Sequence, residues 1–266
     1  MASEYVYELE NVSFSYKGEI SALEDVSLRI KASECWAILG ANGSGKSTLL
    51  KLLDGLYFPT HGSIRAFGQE LSERRFHDQS FNFAFRRRVG FVFQDPDIQL
   101  FSASVLDDVA FAPLQLGLPM AEVEARVDGA LKALRIEKLR DRPPHRLSGG
   151  EKKRVALASV LSLQPEIWLL DEPTAGLDPR SQTWLVEFIK EQHHAGKTIV
   201  IATHDLTIIQ YLATHVLVFN EDHHIAALGD PFNILKNHTL LHACNLIHEH
   251  LPSSSIISQT PDASLV

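Results

Sequence analysis

Cysteine is scarce in this sequence, with only Cys35 and Cys244 among 266 residues. A small fold stapled by disulfides needs more cysteines at regular spacings, so that class is excluded and a reducing compartment is favoured. Cys35 lies in an apolar run and is predicted to be a small buried hydrophobic residue. We therefore expect the fold to be stabilised by an apolar core.

The sequence also lacks a long apolar run. No stretch approaches the roughly 20 consecutive apolar residues that cross a bilayer as a helix. The first residues carry neither the basic start nor the apolar stretch of a secretion signal. Any membrane role is therefore expected to come through a partner.

A basic excess is absent as well. The chain has 25 Lys and Arg against 33 Asp and Glu, a formal net charge of -8. Binding to nucleic acid depends on contacts with backbone phosphates, which favour positive charge, so nucleic acid is not expected as a partner. The apolar fraction of 45% and the charged fraction of 22% are ordinary for a globular protein.

Short apolar runs alternate with helical patterns along the chain. Strands are predicted at 6–15, 23–30, Cys35–Leu39, 90–93, 167–170 and Thr198–Ala202. Helices are predicted at Lys46–Leu53, 104–111, 121–134 and 147–163, with Pro113, Gly117 and Pro119 separating the middle two. Short strands that are apolar on both faces and alternate with helices indicate a parallel sheet covered by helices.

A glycine-rich loop lies between the strand Cys35–Leu39 and the next helix. It fits the phosphate-loop pattern G-x-x-x-x-G-K-S/T and consists of Gly40, Ala41, Asn42, Gly43, Ser44, Gly45, Lys46, Ser47 and Thr48. Glycines let backbone N–H groups point at phosphate oxygens, and the start of the helix attracts the same anion. Lys46 is expected to neutralise the β- and γ-phosphates, and the Ser47 hydroxyl to bind Mg²⁺.

Two adjacent carboxylates end another buried strand. Asp171 follows the run at 167–170, and Glu172 comes next. Asp171 is expected to hold Mg²⁺, directly or through water, and Glu172 to polarise an attacking water. Such a pair could merely begin a solvated loop, but its combination with a phosphate loop favours a catalytic site. Pro173 should stiffen the turn because its φ angle is restricted.

Further segments resemble motifs of the ABC ATPases. Residues 147–151 (L-S-G-G-E) are similar to the family signature, usually L-S-G-G-Q, and 175–178 (A-G-L-D) are similar to its D-loop. His204 matches the switch histidine at the end of an apolar strand. With Tyr16 and Gln94 upstream, the nucleotide motifs occur in the family's order. The sequence is therefore identified as a member of this family.

The resemblance covers residues 5–240 and implies an α/β fold of the P-loop NTPase (RecA-like) type. Its expected parts are a parallel sheet core, an antiparallel β subdomain and a helical subdomain. Residues 1–240 are predicted to form the ATPase domain, with the helical subdomain inserted at about 94–163. Residues 241–266 are predicted to be a loosely held tail, and His223 and His224 to be solvated.

The resemblance also implies roles for single residues. Tyr16 would stack on adenine, Gln94 would reach Mg²⁺ or the attacking water, and His204 would contact the γ-phosphate. The implied catalytic residues are Lys46, Gln94, Glu172 and His204. The implied metal-binding residues are Ser47, Gln94 and Asp171. The cofactors expected are ATP and Mg²⁺.

The signature segment implies a dimer. Ser148, Gly149 and Gly150 open a helix and can therefore bind phosphate. In the family this helix belongs to the opposite chain, which closes over the γ-phosphate, and Asp178 crosses the same interface. Both halves of the site are present, so a homodimer is expected and a heterodimer stays open. Glu151 replaces the usual Gln, with a consequence that the sequence leaves open.

Residues 94–102 (Q-D-P-D-I-Q-L-F-S) and 105–111 (V-L-D-D-V-A-F) resemble the ATPases of energy-coupling-factor importers. Within that group the chain is most similar to the cobalt and nickel uptake ATPases. The implied partners are a transmembrane coupling subunit and a substrate-binding membrane subunit, at the cytoplasmic face of the cell membrane. Asp95 and Asp97 would pair with arginines of the coupling helices. The alternative for these two acids is a solvated loop.

Other functions stay open at this point. The chain could serve another ABC importer, for vitamins, amino acids or other metals, with a conventional permease. It could also be a soluble ABC ATPase, although those usually carry a coiled-coil insertion or two fused ATPase units. A scaffold that only binds nucleotide would be expected to lack Glu172 or Ser148, and both are present.

Overall fold

The computed structural model describes residues 4–247. Within them it has ten strands and ten α-helices. The strands are β1 (Tyr5–Tyr16), β2 (Ile20–Lys31), β3 (Cys35–Leu39), β4 (His61–Ala66), β5 (Gln69–Glu70), β6 (Val89–Val92), β7 (Ile167–Asp171), β8 (Thr198–Ala202), β9 (His215–Phe219) and β10 (Ile225–Gly229). The helices are α1 (Lys46–Leu53), α2 (Glu73–Phe76), α3 (Gln79–Arg86), α4 (Val105–Gln115), α5 (Met120–Ala133), α6 (Gly149–Leu161), α7 (Pro179–His194), α8 (Leu206–Leu212), α9 (Pro231–Lys236) and α10 (His238–Ala243).

The larger sheet has the strand order β10-β9-β3-β8-β7-β6. The strands from β9 to β6 run parallel, and β10 pairs antiparallel with β9. Strands β3, β7 and β8 are buried at every residue, as expected for strands covered on both faces. The predicted parallel sheet core is therefore confirmed.

This sheet separates two apolar cores. Successive residues of β3 enter opposite cores, because side chains alternate along a strand: Trp36 packs on one side and Ala37 on the other. On one side, helix α1 and the antiparallel sheet β2-β1-β4-β5 complete the core, to which α1 contributes four fully buried leucines. The other core holds apolar residues of α4, α5, α6 and α7. Helix α1 is thus enclosed between the two sheets.

Helix α4 runs past a proline that the sequence suggested as its end. Pro113 lies inside the helix and has no N–H to donate to the carbonyl of Val109. The buried Ser162 hydroxyl donates a hydrogen bond to that carbonyl oxygen at 2.7 Å. The predicted break at Pro113 is therefore wrong, because a side chain of α6's C-cap replaces the missing donor and the helix continues to Gln115.

The described chain ends in two short helices that the sequence analysis did not predict, α9 and α10. Leu241 and Cys244, in the first part of the predicted tail, are both buried. The rest of that tail, 248–266, lies outside the described residues. None of the helices within 4–247 combines the length and apolar character needed to cross a membrane.

The Ser162 contact leads to a stability prediction. Ser162→Ala should lower the free energy of unfolding by about 1–3 kcal/mol, because it leaves the buried Val109 carbonyl without a donor. Adding Pro113→Ala should recover much of the loss, since an alanine at that position supplies the missing backbone N–H. Urea unfolding of the two single variants and the double variant measures this. Additive effects in the double variant would contradict the pairing.

Candidate nucleotide site

Four neighbouring parallel strands end at one edge of the larger sheet. In spatial order they are β3, β8, β7 and β6. The phosphate loop follows β3, and His204 lies two residues after β8. Asp171 is the last residue of β7, Glu172 comes directly after it, and Gln94 lies just after β6. Ligands of open α/β sheets bind at the carboxyl ends of the strands, so the topology assembles a candidate site from segments far apart in sequence.

The phosphate loop requires glycine at two positions. A Cβ on Gly40 would lie 2.2 Å from the Ser44 Oγ, and one on Gly45 would lie 2.3 Å from the Ala22 carbonyl oxygen. Both glycines also have positive φ angles, 156° and 108°. The Ser44 Oγ is buried and has no hydrogen-bond partner. A closely wound loop with an unsatisfied hydroxyl fits an oxyanion ligand.

Lys46 is buried at the centre of the loop. Its Nζ donates hydrogen bonds to the carbonyl oxygens of Gly40 at 2.8 Å and Ala41 at 2.9 Å. It also lies 4.0 Å from Glu172 Oε1. Burial lowers the pKa of Lys46, while the charges of Glu172 and Asp171 act in the opposite direction. A buried ammonium group held by carbonyls and carboxylates suits a phosphate chain, which would supply further negative charge.

Ser47 and Asp171 form the second part of the site. The Ser47 hydroxyl donates a hydrogen bond to Asp171 Oδ1 at 2.8 Å. Burial raises the pKa of Asp171, and the Ser47 hydrogen bond lowers it. A hydroxyl and a carboxylate at this distance are oxygen ligands of the type that Mg²⁺ prefers. The residues present therefore fit a magnesium ion beside the phosphate loop.

Glu172 is buried and has a strained backbone. Its φ angle is 41°, a left-handed conformation that is uncommon for a residue other than glycine. Its Oε1 lies 2.9 Å from His204 Nδ1, and its own N–H donates to the Ala202 carbonyl oxygen at 2.9 Å. Glu172 is thus placed between the imidazole of His204 and the ammonium group of Lys46.

A cleft of about 480 Å³ opens over these groups. Tyr16, Lys46, Gln94, Glu172 and His204 all line it. The Tyr16 hydroxyl is hydrogen-bonded to the Thr48 hydroxyl at 2.8 Å, so its ring is tied to the phosphate loop. The structure therefore brings the predicted aromatic, cationic and carboxylate residues into one cavity.

His223 was missed by the sequence analysis. It lines the same cleft, and its Nδ1 is buried without a hydrogen-bond partner, so the prediction of a solvated residue is wrong. Its carbonyl oxygen accepts the N–H of Glu24, which ties the β9–β10 turn to β2. A pair of histidines in a polar turn gave no signal of this position.

Comparison with known proteins decides the family. The family model described as "ABC transporter" matches residues 23–175. The chain belongs to the ABC transporter family. The predictions of an ABC-type ATPase and of its P-loop fold are confirmed.

The relatives include transporter ATPases. The chain is 49% identical over 244 residues to the nickel import ATP-binding protein NikO of Rhodobacter capsulatus, a match that covers 91% of this chain and 95% of NikO. It is 44% identical over 234 residues to the energy-coupling factor transporter ATP-binding protein EcfA of Carboxydothermus hydrogenoformans, covering 88% and 84%. The resemblance to energy-coupling-factor and nickel uptake ATPases is thereby confirmed.

Solved structures agree. The structure of cbiO1 from Clostridium perfringens, part of the ABC transporter complex cbiONQ, has a TM-score of 0.77 and 39% identity, covering 92% of this chain and 96% of cbiO1. The ATP-binding cassette MJ0796, in a dimeric post-hydrolysis state bound to ADP and Pi, has a TM-score of 0.77 and 30% identity, covering 85% and 98%.

The signature residues and the D-loop aspartate, for which the ABC resemblance also implies a role in nucleotide binding, lie outside the cleft of their own chain. Ser148 is the N-cap of α6, and Gly149 and Gly150 form the first turn of that helix. Asp178 is the N-cap of α7, where its side chain accepts hydrogen bonds from Ser181. None of the four lines the nucleotide cleft. The signature segment of this chain therefore does not line the nucleotide cleft that the same chain forms.

Lys153 supports Gln94, although nothing in the sequence separates it from a surface lysine. It is buried, and its Nζ donates hydrogen bonds to the carbonyl oxygens of Phe93 at 3.2 Å and Gln94 at 2.9 Å. Burial lowers the pKa of Lys153 to about 8. Helix α6, which carries the signature, is thus connected to the segment that carries Gln94.

The Lys153 pKa leads to a pH prediction. Between the folded pKa of Lys153, about 8, and its ordinary value of 10.5, this side chain binds more protons in the unfolded chain, so its contribution to the free energy of unfolding should rise with pH. Cys35, whose pKa burial raises to about 12, contributes with the opposite sign above its ordinary value of 9.0, so the Lys153 contribution is read as the difference in slope between wild type and variant. The contribution is about 1.4 kcal/mol for each pH unit in that window. Lys153→Met should lack this rise, and Lys152→Met at the neighbouring position should keep it. Urea unfolding at several pH values checks this, and equal slopes for wild type and Lys153→Met would contradict it.

Proposed function

We propose that the chain is the ATP-hydrolysing subunit of an energy-coupling-factor importer, in the cobalt and nickel uptake group. ATP would close two chains against each other, and this closure would move membrane helices. The carrying observation is the placement of Lys46, Glu172 and His204 in one cleft beside the Ser47–Asp171 pair. The relatives NikO, EcfA and cbiO1 support the transporter group.

ATP binding follows from the groups that line the cleft. The loop N–H groups and the start of α1 would bind the phosphates, with Lys46 exchanging its loop carbonyls for the β- and γ-phosphate oxygens. Tyr16, tied to Thr48, would offer its ring to adenine. Ser47, Asp171 and Gln94 would hold Mg²⁺, which when bound neutralises phosphate charge.

Hydrolysis would depend on Glu172. Its carboxylate would orient a water and accept a proton from it as the water oxygen attacks the γ-phosphorus, and the bond to the β-phosphate oxygen would break to release ADP and phosphate. His204, 2.9 Å from Glu172 Oε1, would keep that carboxylate in position and contact the γ-phosphate. Glu172 directly follows β7, and its strained φ angle would turn its side chain into the cleft.

The opening of α6 supports a second chain as partner. Ser148 and Gly149 are exposed. A Cβ on Gly149 would meet no atom within 4 Å, so its own chain does not explain a glycine there. A phosphate approaching from a second chain would use that space, with Asp178 at the same interface. A homodimer needs no other component, because this chain carries both halves of the site.

A groove of about 430 Å³ suits the membrane partner. Phe83, Phe101 and Phe111 line it and are partly exposed. Asp108 also lines it: Oδ1 accepts the N–H groups of Phe101 and Ser102, while the buried Oδ2 has no partner. An apolar groove with an unsatisfied carboxylate oxygen fits an amphipathic coupling helix that carries an arginine.

We propose Asp108, and not Asp95 or Asp97, as the arginine acceptor, because both of those acids already have partners within the chain. Asp97 already forms an ion pair with Lys152, at 2.6 Å. The Asp95 side chain accepts the N–H of Asp97 and caps a short 3-10 turn. In this proposal the chain lies on the cytoplasmic face of the cell membrane. A transmembrane coupling subunit binds it there, and a substrate-binding membrane subunit binds the coupling subunit.

Glu172→Gln tests the catalytic assignment. The variant should bind ATP, form a dimer that persists and hydrolyse ATP about 10²- to 10⁴-fold more slowly, because it loses a proton acceptor. Phosphate release and sedimentation with ATP and Mg²⁺ measure the two effects. Glu187→Gln, an exposed carboxylate on α7, is the control. Near-normal turnover in Glu172→Gln would exclude Glu172 from this role.

Asp108→Asn tests the membrane partner. The tagged wild-type chain, extracted from its native membranes in mild detergent, should bring along one shared transmembrane subunit and a small substrate-binding membrane protein. Asp108→Asn should lower this recovery about tenfold or more, because an amide leaves the arginine unpaired. ATP hydrolysis by the purified variant chain should be unchanged.

The same purification separates the alternatives. Recovery of a paired conventional permease would favour another ABC importer, and a chain found only in the soluble fraction would reject the transport role. The double variant with Asp95→Ala and Asp97→Ala is the matched control, and it should recover the membrane subunits as well as the wild-type chain does. Loss of the complex in that pair but not in Asp108→Asn would contradict the assignment of Asp108.

A further inference from the structure

Glu151, which stands where the signature ordinarily has glutamine, holds the signature serine. Its Oε2 accepts two hydrogen bonds from Ser148, one from the backbone N–H and one from the side-chain hydroxyl, each 2.8 Å long. The Ser148 Oγ in turn accepts the N–H of Glu151 at 3.4 Å. Together these contacts form a capping box that starts α6.

The contact uses the only proton of the Ser148 hydroxyl. A serine hydroxyl has one proton to donate, and an ionised carboxylate can only accept. A phosphate oxygen of ATP also accepts. The Ser148 hydroxyl therefore cannot donate to Glu151 and to a γ-phosphate at once, and it must release Glu151 before it can donate to the nucleotide.

Glu151 also adds negative charge at the start of this helix. The hydrogen bonds from the Ser148 backbone and hydroxyl hold the pKa of Glu151 below its usual value, so the group is ionised at neutral pH. An anion there offsets the partial positive charge that would otherwise attract phosphate. The exposed face formed by Ser148 and Gly149 is the face that the proposed function places against the second chain's ATP.

Glutamine at position 151 would differ in charge but not in its capping ability. Its Oε1 can accept both the N–H and the hydroxyl of Ser148, so the helix start is preserved, but as a neutral acceptor it holds the hydroxyl proton less strongly than a carboxylate does. Its amide nitrogen is a donor, so it can bind an oxyanion instead of repelling one. Glu151→Gln is therefore a nearly isosteric change that separates the charge from the fold.

We propose that Glu151 is a positioning residue that weakens ATP-driven dimer closure, because it retains the Ser148 proton and repels the γ-phosphate. This inference rests on the proposed dimer. Glu151 would make the closed state easier to reopen and would thereby oppose trapping of the ATP-bound dimer.

Dimer affinity with ATP and Mg²⁺ tests the inference in a Glu172→Gln background, where hydrolysis is slow. Sedimentation equilibrium should give a dissociation constant about tenfold lower when Glu151→Gln is added, as expected for removal of one repulsive charge. The difference should shrink at high salt, because screening shortens the reach of that charge. The midpoint of thermal unfolding should fall only slightly, since glutamine still caps the helix although the negative charge at its start is lost.

Two further variants complete the design. Glu137→Gln removes an exposed charge elsewhere in the helical part and should leave the dissociation constant unchanged. Glu151→Asp keeps the charge and should not tighten the dimer. Equal dissociation constants for Glu151→Gln and its parent, or equal tightening by Glu137→Gln, would overturn the inference. If the Glu172→Gln parent forms no dimer with ATP, the proposed dimer fails and this inference falls with it.

Discussion

Burial of the central strands on both faces is the constraint on which the rest of the structure depends. Strands β3, β7 and β8 are covered by two apolar cores, and their one charged side chain, Asp171, lies where β7 ends. The parallel arrangement places those ends along one edge. Lys46 and Glu172, which are distant in sequence, meet at that edge within 4.0 Å.

The same packing makes the site electrostatically demanding. Lys46 and Asp171 are both buried, and burial shifts their pKa values towards the neutral forms. Hydrogen bonds from Lys46 to the loop carbonyls and from Ser47 to Asp171 offset part of that cost. In the proposed function, ATP and Mg²⁺ enter a site in which Lys46 and Asp171 already have hydrogen-bond partners. Binding would therefore exchange these hydrogen bonds for contacts with phosphate and Mg²⁺.

The helical part connects the site with the surfaces that we propose for other proteins. Helix α6 begins at the signature, and Lys153 on the same helix holds the carbonyls of Phe93 and Gln94. Gln99, close to Gln94, bonds to the Ala156 carbonyl and the Ser159 hydroxyl of that helix and lines the apolar groove. Nucleotide, second chain and membrane partner would therefore act on one packed unit, which fits a subunit that converts ATP binding into motion.

The sequence by itself determined the phosphate loop, the Asp171–Glu172 pair and the strand β3 with helix α1, because these depend on local spacing and on contacts within one segment. Only the tertiary structure decided the surroundings of Lys153, His223 and Asp108, because packing of segments remote in sequence buries Lys153, Asp108 and the Nδ1 atom of His223. It also decided that α4 continues through Pro113, since the donor is Ser162 of another helix end. Local patterns specify backbone geometry, whereas desolvation and long-range hydrogen bonds arise only when the segments pack together.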